Sequence, residues 1–131
     1  MKKIITTINA PAPIGPYNQG VLVNDTLYLS GQIGLNPNSM ELVEGCVKKE
    51  TEQVMENLKS VLEAAEMNFD QVVKSSIFLS DMLDFGQVNE VYGSYFNNKT
   101  APARETIAVK TLPKNVRVEI SMIAIKLCLD L

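Results

Sequence analysis

Two charged side chains stand where the surrounding residues read as strand: Arg104 in APARETIAV and Glu119 in VRVEISMIAI. Arginine stays protonated and presents a planar fork that holds a carboxylate bidentately, so Arg104 could bind and orient a small acid but could not act as a base. Glu119 could do the second task. Withdrawn from water its pKa rises, and with a water placed beside it a carboxylate becomes a general base. Each residue also has a plainer reading. Most charged side chains are solvated, which would make Arg104 a surface or salt-bridged charge behind the stiff Pro102. Glu119 would then be a structural partner of Arg117 or Arg104 at a subunit contact. Weaker candidates accompany them. Tyr17 reads as a loop anchor, Ser30 as a strand hydroxyl, Asn89 as an exposed helix residue and Thr106 as a β-former, unless they line a site. Gly31, inside a strand, marks a bulge or a close backbone approach to ligand.

The chain has no histidine. That removes Ser-His-Asp and Cys-His nucleophiles, HExxH zinc sites and imidazole acid-base pairs, leaving Arg, carboxylates, hydroxyls and backbone. With 131 residues, about half of them apolar, one core and one domain over residues 1–131 are expected. A net charge of −3 argues against gripping phosphate backbones, which takes clustered Lys and Arg. Cys46 and Cys128 are far apart and without CxxC spacing, which fits a reducing compartment and neither a zinc site nor a redox pair. No apolar run approaches the roughly 18 residues that span a bilayer, and MKKIITTINAPAP has no apolar stretch behind its lysines. The expectation is a soluble, cytoplasmic protein without metal or membrane partner.

The elements that must position these residues follow from spacing. Lys3 to Thr6 reads as a first strand, and NAPAPIGPYNQG, dense in Pro and Gly, as an ordered loop. Val21–Val23, an Asn24-Asp25 turn and Thr26–Ile33 read as a hairpin, with Leu27, Leu29, Gly31 and Ile33 on one face. From Val47 the apolar spacing becomes helical, through Val47, Thr51, Val54, Leu58, Val61, Leu62 and Ala65. Val72–Leu79 returns to strand, with Val73, Ser75, Ile77 and Leu79 as one row. Asp84 and Gln87 have capping-box spacing before a second helix reaching Phe96, which should bury Phe85, Val88, Val91, Tyr92 and Tyr95. Strands Glu105–Lys110 and Val116–Lys126, joined at LPKN, complete the order β, β, β, α, β, α, β, β.

The economical assembly is α+β: one mixed sheet with both helices packed on one face. In the last strand Val118, Ile120, Met122 and Ala124 form one row, and Arg117, Glu119, Ser121, Ile123 and Ile125 the other, polar at its start and apolar at its end. Such a mixed row fits a face covered by another copy of the chain, so a homo-oligomer is expected.

Taken together, APIGPYNQG, LYLSGQIG, FLSDMLDFGQVNEVYGSYF, APARETIAV, LPKN and VRVEISMIAI closely resemble the reactive intermediate deaminase family, also called the YjgF or L-PSP family, over Ile4 to Ile125. The resemblance implies a chorismate-mutase-like protomer and a homotrimer with a barrel-like centre, its three sites lying in clefts between subunits. It implies no cofactor. The activity implied is hydrolysis of 2-aminoacrylate or 2-iminobutanoate, released by pyridoxal-phosphate-dependent dehydratases, to a 2-keto acid and ammonia. Carried over by position, Arg104 matches the arginine that clamps the substrate carboxylate and Glu119 the acid that orients or activates water. Tyr17 matches a residue closing the pocket, and Ser30, Gly31, Asn89 and Thr106 match positions lining it. Many members have cysteine where Thr106 stands and a second acid where Ser121 stands. Because an imine carbon is already electrophilic, an oriented carboxylate and a placed water suffice without histidine or metal. The family has also been labelled endoribonuclease and translation inhibitor, a role that an acidic chain without histidine supplies poorly. A third reading is a non-catalytic trimer that binds small carboxylates.

Overall fold

The strand that comes last in the chain is the one at the centre of the sheet. The computed structural model describes residues 1–127; residues 128–131, and with them Cys128 and most of the LCLDL tail, lie outside the described residues. Six strands, β1 (Lys2–Ile5), β2 (Gly20–Val23), β3 (Thr26–Gln32), β4 (Val72–Leu79), β5 (Ala103–Ala108) and β6 (Val118–Ile125), form one sheet in the order β1-β2-β3-β6-β4-β5. All neighbours are antiparallel except β4 and β5. A parallel pair needs a crossover, and helix α2 (Phe85–Gly93) supplies it, while α1 (Val47–Ala64) connects β3 to β4. The expected α+β arrangement is therefore present, with both helices over one face.

Alternation along β6 shows which face that is. Val118, Ile120, Met122 and Ala124 are buried beneath the helices, and the residues between them are half-buried on the open side. From α1, Val54, Leu58, Val61 and Leu62 enter the same core. Each fully buried side chain of this size contributes about 1.5–3 kcal/mol. On the open side Tyr28 and Ile107 remain exposed, near half-buried Ile123 and Ile125.

Four local expectations are corrected. In β3, Leu29 faces Met122 but Gln32 faces Ile120, so an extra residue is inserted between them. This bulge reverses the alternation: Gln32 is buried, and the row Leu27-Leu29-Gly31-Ile33 does not continue past Leu29. A second irregularity between Val72 and Lys74 turns Val73 outward and buries Val72 in its place. The Asp84–Gln87 capping box does not form. Asp81 instead accepts the Leu83 N–H at 2.9 Å, and a complete box joins Asn68 and Gln71 just before β4. Finally, α2 ends at Gly93, residues 94–96 following as turns, and Phe85 at its start is 38% exposed.

Candidate functional site

Glu119 projects from β6 on the open side of the sheet, into a cavity of about 400 Å³. The bulge in β3 brings Gly31 beneath it, and the glycine is required by sterics: a Cβ there would lie 2.1 Å from Glu119 Oε2. The close approach that the structure shows at Gly31 is thus to a carboxylate of the same chain. Ile33, Leu35 and Pro113 give the cavity apolar walls, and Ser30, Gln32 and Tyr17 give it polar edges. Burial pushes the Glu119 carboxyl above its ordinary pKa. The expected partner Arg117 is not beside it. Arg117 Nε donates instead to Glu50 Oε1 at 2.7 Å, and among the described residues no cation pairs with Glu119.

The loop of residues 6–19 closes one side of the cavity, and a single side chain ties it down. Gln19, 2% exposed, accepts the Thr7 N–H at 2.7 Å and donates through Nε2 to the carbonyls of Thr7, Ala10 and Pro11. Ser30 fastens the loop to the bulge, its N–H donating to Gln19 O at 3.0 Å and its hydroxyl to Asn18 O at 2.5 Å. Tyr17, 47% exposed, stands at the rim, and its hydroxyl accepts the Ile14 N–H at 3.4 Å.

Arg104 lies elsewhere. On β5 it is in register with Ser75, a buried residue of the helix-covered face, whereas Glu119 is in register with Phe78 on the open face. Within one chain the two residues are therefore on opposite sides of the sheet and do not meet. Arg104 sits in a cradle built by α2. Its Nη1 donates to Asn89 Oδ1 at 2.7 Å, and its guanidinium carbon lies 5.7 Å from the Phe85 ring centroid and 5.1 Å from that of Tyr92. Cation–π contact and one amide leave much of the fork's donor capacity unused. No carboxylate pairs with it among the described residues. Thr106, two residues on and on the same face, has a buried hydroxyl without a hydrogen-bond partner among the described residues. Such a group is costly unless something not in this chain satisfies it.

Of the residues singled out from sequence, the structure collects Tyr17, Ser30, Gly31 and Glu119 in one half and Arg104, Asn89 and Thr106 in the other. Gln19, Gln32 and the ring pair Phe85 and Tyr92 were missed. The last two had a signal, since Phe85, Asn89 and Tyr92 are spaced i, i+4, i+7 on one helical face. Ser121 pairs with Ser76, whose hydroxyl donates to Glu105, and Lys74 lies 2.8 Å from the same carboxylate, holding it below its ordinary pKa.

Comparison with known proteins gives one consistent result. The family model described as Endoribonuclease L-PSP matches residues 7–126. A RutC family protein of Saccharolobus solfataricus is 52% identical over 126 residues, 96% of this chain and 99% of its own. The 2-iminobutanoate/2-iminopropanoate deaminase of Mus musculus is 48% identical over 126 residues, 96% of this chain and 93% of its own. Among solved structures, E. coli TdcF with bound serine superposes with a TM-score of 0.89 at 37% identity, covering 95% of this chain and 99% of that one.

Proposed function

The chain belongs to the reactive intermediate deaminase, or L-PSP, family, and from that premise we propose that it hydrolyses small 2-imino acids to 2-keto acids and ammonia. The observation that carries the reading is Glu119: a half-buried carboxylate, with its pKa lifted and no cation beside it among the described residues, lining a cavity with apolar walls. Such a carboxylate, once ionised, is a better base than one in water. Arg104 supplies what this half lacks, a fixed cation for the substrate carboxylate. Because one chain holds them on opposite faces, the working site is formed by Glu119 of one copy and Arg104 of the next. The mixed open face, with Tyr28, Ile107 and Ile123, is where the copies meet, as three in a closed ring. The serine bound in TdcF carries the same α-carboxylate that the clamp would hold.

In the proposed reaction, Glu119 takes a proton from water as the oxygen adds to the imine carbon. The protonated carboxyl gives that proton to the nitrogen, leaving a carbinolamine; the carboxylate then takes the hydroxyl proton and passes it to the nitrogen, and the carbon–nitrogen bond breaks as the keto group forms and ammonia leaves. Arg104 fixes the carbon at the distance of attack, which converts a collision into a positioned step. The name of the matching family includes a nuclease activity, but a carboxylate at the floor of an apolar cavity repels a phosphodiester.

The test generates 2-aminoacrylate with a serine dehydratase, traps surviving imine with semicarbazide, and compares the protein with Arg104→Ala. Wild type should suppress trapping, and the variant should lose about 10²- to 10³-fold in kcat/KM, the worth of one fork of charge-assisted hydrogen bonds. If neither protein suppresses trapping while both are folded and associated, the reading fails.

A further inference from the structure

The core face of α1 is apolar except at a few positions, and two of the exceptions hold the walls of the Glu119 cavity. Glu50 and Asn57 are both 0% exposed and stand seven residues apart, two turns along one face. A buried carboxylate is tolerated only when its oxygens are filled. Those of Glu50 are: Oε2 accepts the backbone N–H of Arg117 at 2.8 Å and of Val118 at 3.2 Å, and Oε1 accepts Arg117 Nε at 2.7 Å. From the other side Ser80 N–H donates to Arg117 O at 3.0 Å.

These bonds seize the chain immediately before Glu119. The path leading there would not hold itself, since Lys114 and Asn115 are both left-handed, at φ 56° and 55°. The facing wall rests on the same side chain. A Cβ on Gly34 would lie 2.8 Å from Glu50 Cγ, so the Ile33–Leu35 segment presses onto it, while Asn57 Nδ2 donates to the carbonyls of Ile33 at 3.2 Å and Leu35 at 3.0 Å.

We infer that Glu50 is a positioning residue for Glu119: by binding the start of β6 and carrying the opposite wall, it fixes where the carboxylate stands above Gly31 and hence where the attacking water sits. This rests on the imine-hydrolase reading. It assigns to a buried, non-reacting carboxylate the geometry of a reacting one.

The experiment is Glu50→Gln, which keeps the volume but offers one acceptor oxygen to three N–H groups. The variant should lose about tenfold in kcat, with KM changed less than about twofold, because the Arg104 cradle is on the other face and a small misplacement of a reacting group costs rate. Introduced into Glu119→Gln, the same change should cost nothing further. An equal loss in both backgrounds, or a rise in KM alone, overturns the inference. Arg117→Lys keeps the charge and removes the Nε contact. It should show the same pattern at smaller size, and it stands in if Glu50→Gln does not fold, an equal loss in both backgrounds again being fatal. If wild type does not deaminate imines, the functional reading falls, and the Glu119 carboxyl titration followed by carbon-13 NMR decides the positioning. A shift in Glu50→Gln supports it, and an unchanged titration overturns it.

Discussion

The Glu119 half and the Arg104 half differ in construction. The first is a hollow: apolar walls, a loop held by Gln19, a bulge, and a carboxylate that pairs with no cation among the described residues. The second is a cradle without a hollow: two aromatic rings and an amide around a guanidinium that pairs with no carboxylate among the described residues. One offers space and a base, the other charge and direction. Neither alone can both hold and hydrolyse a small acid, so on this reading association is part of the chemistry and not only of stability.

Mixing breaks the comparison most directly. Arg104→Ala and Glu119→Gln should each be nearly inactive, yet refolding them together should restore roughly a quarter of wild-type activity, the statistical share of sites that receive an intact Arg104 from one copy and an intact Glu119 from another. No recovery in mixed, associated protein would mean that the halves do not meet.

A smaller effect separates the halves. Gly31→Ala would drive a Cβ into the Glu119 carboxylate, and kcat should fall about 10²-fold, as expected for a reacting group displaced by about 1 Å. Binding of 2-ketobutyrate, measured by calorimetry, should weaken much less, because the clamp is elsewhere. A dominant loss of binding would place the carboxylate's contact with ligand in the ground state.

The smallest change sharpens the Arg104 half. Thr106→Val removes the unpartnered buried hydroxyl, and the ligand-free protein should gain about 1 kcal/mol in denaturant unfolding, since an unsatisfied polar group is replaced by an isosteric methyl. If substrate or a neighbouring copy normally satisfies that hydroxyl, KM should rise several-fold at the same time. A stability loss with unchanged KM would show that the hydroxyl has a partner within the chain.

What the sequence made readable was whatever depends on neighbours along the chain. Helical spacing from Val47 gave α1, alternation gave β4 at its observed bounds Val72–Leu79, and a glycine inside a strand pointed to the bulge at Gly31. The unreadable parts depend on partners far away. Glu50 has no local signal, because the amides that fill its oxygens lie 67 and 68 residues on. The opposed faces of Arg104 and Glu119 follow from the registers of β4 with β5 and with β6, which no local pattern encodes. Phe85 failed for a related reason: an apolar residue at a helix start counts as core until its neighbour proves to be a guanidinium.

The place of β6 also bears on how such a molecule is made. On a ribosome, β1, β2 and β3 emerge first, then β4 and β5, as two half-sheets each ending in an unpaired inner edge. They cannot join until the strand that carries Glu119 has been synthesised and has inserted between them. Exposed inner edges invite pairing with other chains, so the interval before residues 118–125 arrive is when this protein is most in need of a chaperone. A chain truncated there should yield not a smaller domain but a sticky pair of fragments.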